Sequence, residues 1–463
     1  MMSEYIQGYI ERARAAQAAA ERWSQEDADR AVNAVAKAVY DNADELARLA
    51  AEETRMGRPE DKTAKNRNKA RMIAADLSTK KSVGVISRDT ASGITEIAKP
   101  VGVVASITPV TNPIVTPMSN AMFALKGRNV IVITPHHRAV RSSTRAVELI
   151  NANLKAIGAP ENIVQIIGQH SRENTHELIS SADVVIATGG MGMVKAAYES
   201  GKPALGVGAG NVQCIVGRDA DLAEAVPMIV DGRAFDDGII CAAEQSIIFP
   251  AEMEGELIAA LAASHAVCLP RTPEVVSALR GALFTEDGMN RHLVGQPAHA
   301  VVEAAGLAGV AGLAAANGTD SSACTRVIAV FADGAGAADR LSGEKMCPVI
   351  ALYPYETFDE AVAIARANLE YEGKGHSVSL HTRDEAHIEY AGLHLPVSRI
   401  LVNQSAATCA GGSDYNGLAP TNTLGCGSWG NNSISENLTY KHLINISRVA
   451  SRLPESRFSG FAL

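Results

Sequence analysis

The sequence predicts an α/β protein built around a parallel, doubly wound sheet, on three observations. Short β-branched runs recur at Val101–Ile107, Val130–Thr134, Ile163–Ile167 and Val184–Thr188. Each is apolar almost end to end, as a strand buried on both faces must be. Each is followed by a Pro, Gly or Ser turn and then a helical segment, the alternation of βαβ units.

Composition frames these elements. A chain of 463 residues, 47% hydrophobic and 20% charged, holds two or three domains at about 150 residues each. With 42 basic and 51 acidic side chains its net charge is −9, which argues against nucleic acid and anionic membrane as main partners and leaves small molecules. The opening segment carries Glu4, Glu11, Arg12 and Arg14, so it reads as neither signal peptide nor membrane span, and a cytoplasmic location is expected. Seven cysteines without CxxC pairs or Cys/His spacing suggest neither a disulfide frame nor a metal site.

Residues 4–55 read as alanine-rich amphipathic helices, with Ser24 as an N-cap and Val32, Val35 and Val39 at helical spacing. Such a face packs on the body of the protein or docks onto a partner or shell. A hairpin at 83–99, pairing Val83–Ser87 with Ile94–Ala98, reads as an isolated element of the kind that bridges subunits, giving a homodimer or homotetramer. The parallel strands follow. Their C-terminal loops, Thr108–Pro113, Thr134–His137, Gly168–Gln169 and Gly189–Gly192, converge on one crevice, where such sheets bind ligands. Neither GxGxxG nor GxxxxGK[ST] occurs there, so any dinucleotide binds without those fingerprints.

A second α/β unit contains the cysteine-bearing Phe235–Ser246 and helices at Glu254–Ala263, Pro273–Leu283 and Thr357–Asn368. Its strand-like runs are Val327–Val330, Val349–Leu352, Ser377–His381 and Ile400–Val402. The Ala/Gly-rich stretch 304–318 reads as a surface connection. The expected division is 1–226 for the N-terminal helices and cofactor domain, 227–430 for the catalytic domain, and 431–463 for a C-terminal oligomerisation segment.

Cys241 stands in a run, Phe235–Gln245, whose Gly238 and small residues suit a loop presenting a thiol; taken alone the run also fits a small buried hydrophobe. Five further stretches join it: Ile107–Pro113, Ala187–Gly190, Gly206–Asn211, Glu344–Val349 and Leu424–Gly430. In that order they resemble the aldehyde dehydrogenase superfamily from about residue 4 to about residue 450, and more narrowly its CoA-acylating branch.

The resemblance implies Cys241 as the nucleophile that forms a thiohemiacetal and then a thioester, and Asn112 as the amide that, with the cysteine N–H, stabilises the oxyanion. It implies Glu344 on the nicotinamide-side ribose. Val207 stands where water-using members carry a general-base glutamate, so coenzyme A, not water, is the expected acceptor. His376 matches a branch-specific histidine able to shuttle the CoA thiol proton, although a packed core histidine fits as well. Thr108 is expected to contact the cofactor, and Thr134, His137 and Arg138 fall on the adenosine side, where His137, Arg138 and Arg141 favour NADP over NAD. Thr188, Gly189 and Gly190 match the pyrophosphate loop. For the aldehyde, Arg233 with Asn403, Ser405 and Thr408 suggests an anionic tail. Sulfoacetaldehyde is the favoured substrate and succinate semialdehyde the alternative; a hydrolytic dehydrogenase or a scaffold on this fold are the other readings.

Overall fold

The computed structural model describes residues 3–310 and 325–458. Residues 311–318 of the Ala/Gly-rich stretch, and Cys324, lie outside the described residues.

Four helices open the chain: α1 (Glu4–Ala20), α2 (Gln25–Asp41), α3 (Ala43–Thr54) and α4 (Pro59–Ser78). Ser24 caps α2 in a reciprocal capping box with Asp27. The apolar faces of α1 and α2 pack into one core with the first parallel sheet, burying Ile6, Val35 and Val39, so the packing reading of the N-terminal helices holds for those faces. The sequence pattern gave no sign of α4. It is polar around most of its circumference and buries Lys62 and Asn66 along with Ala70, Ile73 and Leu77.

Next come β1 (Gly84–Asp89) and β2 (Ile94–Pro100), then β3 (Val103–Ile107), α5 (Val115–Lys126), β4 (Val130–Thr134) and α6 (Val140–Ala156). The unit continues through β5 (Val164–Ile166), α7 (Arg172–Ser181), β6 (Val184–Ala187), α8 (Met191–Glu199) and β7 (Ala204–Gly206). Strands β5-β4-β3-β6-β7 form a parallel five-stranded sheet, the doubly wound order expected. Its topological switch point lies between β3 and β6, at Thr108 and Thr188.

The second unit contains β8 (Val212–Val216), α9 (Leu222–Ala234), β9 (Glu244–Pro250), β10 (Ala266–Cys268), the short pair β11 (Phe284–Thr285) and β12 (Gly288–Met289), β13 (Val327–Phe331), β14 (Val349–Tyr355), β15 (Val378–His381) and β16 (Ile400–Val402). Its parallel seven-stranded sheet runs β10-β13-β14-β9-β8-β15-β16, with an apolar layer on each face. The two sheets part between Gly206 and Val212 rather than at 226, because β8 pairs with β9 and β15.

The hairpin does not stand alone. The late strand β17 (Ile444–Ala450) pairs antiparallel with β2, making a three-stranded sheet from 84–100 and 444–450. Among the described residues, no helix is long and apolar enough to cross a membrane.

Candidate active site

Residues 207–211 join the carboxyl end of β7 directly to the amino end of β8, so the carboxyl edge of the first sheet meets the amino edge of the second. The loops entering β8, β9, β14 and β15, neighbours in the second sheet, carry Gly208–Asn211, Cys241, Glu344 and His376. The rule that ligands sit beyond strand carboxyl ends therefore serves only the first sheet.

Cys241 is half-buried, and a Cβ on Gly210 would collide with its carbonyl oxygen, so glycine is required for this close approach. Burial pushes its thiol up to about 12, with Glu344 and Cys426 adding and Arg399 opposing; at rest it is protonated. Glu344 accepts the Gly210 N–H, and burial together with Glu372 pushes its carboxyl up to about 8. The acid whose charge bears on the thiol is thus Glu344, itself largely protonated at neutral pH. Lys345 makes no salt bridge with it, giving its ammonium instead to the carbonyls of Leu341 at 2.6 Å and Gly343 at 2.7 Å. Val207 is buried at the junction of the sheets and has no proton to exchange.

The backbone leading to the cysteine is unusual. Asp236, Asp237 and Gly238 have φ of 53°, 51° and 73°, a left-handed run that two non-glycine residues hold only against strain. Asp236 is fully buried. Its N–H donates to Asp61 at 2.9 Å, and its carboxylate accepts from Arg58 N–H at 2.9 Å, Lys62 at 3.0 Å and Lys65 at 2.7 Å. Burial opposes ionisation, yet Lys65 and Lys62 hold this carboxyl below its usual range. Lys65 also donates to Asn112 Oδ1 at 2.8 Å. The Asn112 Nδ2 has one long contact, 3.5 Å to the Thr111 hydroxyl. Asn112 therefore makes no Asx turn through its amide oxygen; it is tied to the cysteine loop through Lys65.

His376 is buried, with its Nδ1 unpartnered among the described residues. Burial and the Arg399 guanidinium push it down to about 3, so the ring is neutral. Arg399 binds the His376 carbonyl at 2.9 Å and the Gly425 carbonyl at 2.8 Å, joining the histidine loop to Cys426.

On the cofactor side, Thr188 meets Thr423 hydroxyl to hydroxyl at 3.2 Å, closing the crevice from the catalytic side. A Cβ on Gly189, Gly190 or Gly192 would meet nothing within 4 Å, and Gly190 caps α8. That is an open backbone face at a helix N-terminus, which fits a pyrophosphate. Thr108 and Thr134 are buried at the ends of β3 and β4, and Thr134 bonds Thr175 at 3.2 Å. His137 stacks between His136 (centroids 4.1 Å apart) and His170 (5.9 Å). Arg138 is anchored on the Thr54 carbonyl at 2.7 Å. Glu53, which nothing in the sequence singled out, accepts the Arg141 and Ser142 N–H groups at 2.8 Å each and so caps α6 beside this loop.

The expected aldehyde anchors need correction. Arg233 is fully buried in α9 and directs its guanidinium at main-chain carbonyls: Cys347, Lys345, Glu244 at 3.2 Å and Gly238 at 3.3 Å. The guanidinium is thus spent on holding main chain in a fully buried place, and Asp231 pairs with Arg326 instead at 2.7 Å. Asn403 closes on Thr382, accepting its N–H at 3.1 Å and donating to its carbonyl at 2.9 Å. Ser405 is buried beside the Glu244 carboxyl, against Gly232. Thr408 is exposed and meets Cys409 at 3.6 Å. Lys69 lies one turn beyond Lys65 on α4. Its ammonium is bonded to the Gly411 carbonyl at 2.8 Å and has no carboxylate partner among the described residues. Burial pushes it down to about 8.

Comparison with known proteins agrees with this arrangement. The family model described as "Aldehyde dehydrogenase family" matches residues 2–436. The chain belongs to the aldehyde dehydrogenase family. Within it, the chain is 50% identical to the succinate-semialdehyde dehydrogenase (acetylating) of Clostridium kluyveri over 96% of its length and 95% of the relative's. It is 36% identical to the sulfoacetaldehyde dehydrogenase (acylating) of Bilophila wadsworthia, over 95% and 93%. An acetylating aldehyde dehydrogenase from Geobacillus thermoglucosidasius superposes with a TM-score of 0.91 at 36% identity, covering 97% of each chain. A propionaldehyde dehydrogenase from Rhodopseudomonas palustris, solved with bound CoA and an acylated cysteine, superposes at 0.82 with 27% identity over 97% and 98%. These relatives make the chain an acylating aldehyde dehydrogenase.

Proposed function

We propose that the protein interconverts a short anionic aldehyde and its acyl-CoA thioester, using NADP or NAD and coenzyme A, with Cys241 as the carrier of the acyl group. The observation carrying this reading is the cysteine loop itself: a half-buried thiol pinned against Gly210, with an asparagine amide tied to the same loop; the resemblance adds a valine, Val207, where water-using members carry a general base.

Cys241 gives up its thiol proton to solvent and attacks the aldehyde carbonyl as the thiolate, and the resulting oxyanion would take hydrogen bonds from Asn112 Nδ2 and the Cys241 N–H; one such donor is worth about 3 kcal/mol of barrier. A bound nicotinamide supplies the acceptor for the hydride that leaves this carbon. Gly189, Gly190 and Thr188 would hold its pyrophosphate and Glu344 its ribose, while Arg141, exposed and without a side-chain partner among the described residues, supports a 2′-phosphate and hence NADP. The thioester left on Cys241 persists because Val207 cannot draw a proton from water, and the CoA thiolate, intrinsically more nucleophilic, takes the acyl group. The unpartnered Nδ1 of His376 supports its taking the CoA thiol proton; its low basicity opposes that role, and the pH profile of acyl transfer in His376→Ala decides.

With Arg233 and Ser405 withdrawn, the grounds for sulfoacetaldehyde fall away, and succinate semialdehyde becomes the favoured substrate. Its carboxylate lies one methylene further from the carbonyl than the sulfonate does, and Lys69 stands one helical turn, about 6 Å, along α4 from Lys65. The greater similarity to the C. kluyveri enzyme points the same way. The three-stranded sheet of β1, β2 and β17 exposes Val85 and Val449, which supports a homo-oligomer. A panel of propanal, succinate semialdehyde and sulfoacetaldehyde, each with CoA and both dinucleotides, tests the reading. It expects the highest kcat/KM for succinate semialdehyde with NADP, and a rise in KM for that substrate alone in Lys69→Met. A preference for propanal would contradict it.

A further inference from the structure

Asn112 is useful as an oxyanion donor only if its amide presents nitrogen, not oxygen, to the reacting carbonyl. The two faces of an amide are nearly the same shape, so packing alone does not choose between them; hydrogen bonding does. Here the choice is made by a cation on a helix that contains no residue of the sequence-derived site. Lys65 has only donors, and its contact with Asn112 at 2.8 Å is therefore to the amide oxygen, which turns Nδ2 away from α4. Lys65 is itself held by Asp236, buried and five residues before the nucleophile, at 2.7 Å.

We propose that Lys65, anchored by Asp236, is the positioning residue that fixes the Asn112 amide as an oxyanion donor and sets its register to the Cys241 loop. The same carboxylate that accepts Lys65 also accepts Arg58 N–H and Lys62, and its backbone N–H donates to Asp61, so the left-handed turn leading to Cys241 and the amide are fastened to one point on α4. The Lys65 ammonium against the amide oxygen also polarises the amide, which raises the donor strength of Nδ2 toward a developing anion. Hydrophobic substitution of Lys65 removes both effects while leaving Asn112 in place: the amide is free to flip, and the oxyanion loses its donor.

This inference rests on Asn112 being the oxyanion donor, and the test separates the two. Four proteins are compared as full-length enzyme: wild type, Lys65→Met, Asn112→Ala and the double variant. Two readouts are taken: the rate of Cys241 acylation by an acyl-CoA, which generates an oxyanion, and the rate of Cys241 alkylation by iodoacetamide, which does not. Asn112→Ala is expected to slow acylation by about 100-fold or more, and Lys65→Met by about 10-fold or more, with kcat carrying the loss and KM little changed. Alkylation stays within about twofold in all four. In the double variant the Lys65 substitution adds nothing to the Asn112 loss, since it acts through that amide. Lys65→Arg, which keeps a donor at that place, recovers part of the rate. Multiplying losses in the double variant, or a Lys65→Met enzyme with normal acylation, overturns the inference. If Asn112→Ala itself acylates normally, it is the oxyanion assignment that fails. Should Lys65→Met not fold, Lys65→Gln is the substitute: acylation lowered to a rate no worse than that of Asn112→Ala, with alkylation unchanged, supports the inference, whereas acylation and alkylation falling together, or acylation slower than in Asn112→Ala, overturns it.

Discussion

The carboxyl edge of the five-stranded sheet and the amino edge of the seven-stranded sheet face one crevice but are built differently. On the first, the ligand-facing positions are small and local: Gly189, Gly190 and Gly192 follow β6 within a few residues and leave open space above the helix they begin. On the second, the nucleophile loop is held by partners from distant segments. Cys241 lies against Gly210, Glu344 accepts from the same glycine, Asp236 is held from α4 by Lys62 and Lys65, the latter reaching across to Asn112 on the first edge, and Arg233 props four carbonyls. An edge that binds by backbone needs room, whereas an edge that performs bond making needs fixed donors, and fixed donors require buried charge.

The sharpest test of that contrast is Cys241→Ala, which removes turnover by about 10⁴-fold or more while thermal unfolding stays within a few degrees of wild type. Activity assays alongside calorimetry check it. Next in size is Arg233→Met. With the guanidinium gone, the carbonyls of Gly238, Glu244, Lys345 and Cys347 lose their donor in a buried place, and the cost is about 3 kcal/mol in a denaturant melt. Any surviving enzyme keeps the wild-type ranking of anionic over neutral aldehydes. A lost ranking with an unchanged melt would return Arg233 to the substrate pocket.

A third test concerns pH. Glu344 is pushed up from 4.5 to about 8, so between those values the folded protein holds a proton that the unfolded chain has released. That contribution is complete below about pH 4.5 and is lost as pH rises through about 8. Tm should therefore fall less steeply from pH 5 to 8 in Glu344→Gln than in wild type; equal slopes would show that the carboxyl is not the group responsible. The smallest expected effect is that of Val207→Glu, which places an acid at the junction of the two sheets. The ratio of free acid to thioester should rise several-fold, with the aldehyde KM little changed; an unchanged ratio would sever Val207 from the water-activating position.

The first sheet was legible because its signals are local. Runs such as Val130–Thr134 and Val184–Ala187 are apolar throughout, and their turns follow immediately. In the second sheet β13, β14, β15 and β16 and the helices at 254–263, 273–283 and 357–368 were equally plain, but the short edge strand β10 was not, nor were β8 and β9, which flank the nucleophile. Gln213, Glu244, Gln245 and Ser246 interrupt their apolar runs, and only the fold shows that Gln213 accepts from Ser246 at 2.6 Å and from Asn368 at 2.8 Å. The α4 helix was missed for a related reason. The first half of its inward face carries Lys62, Lys65 and Asn66, residues that a periodicity of apolar side chains passes over, and the Asp236 that pairs with the two lysines lies more than 150 residues away. Arg233 failed in the opposite sense: an arginine near a cysteine reads as an anion receptor until the carbonyls around it are known.

The most direct test of the central claim is mass spectrometry of the enzyme after succinyl-CoA is added without nucleotide. The account predicts one succinyl adduct, on the peptide carrying Cys241, that is discharged by added CoA thiol far faster than by water and is absent in Cys241→Ala. An adduct on Cys426 or Cys409 instead, or one that hydrolyses to free acid as fast as it transfers to CoA, would contradict it.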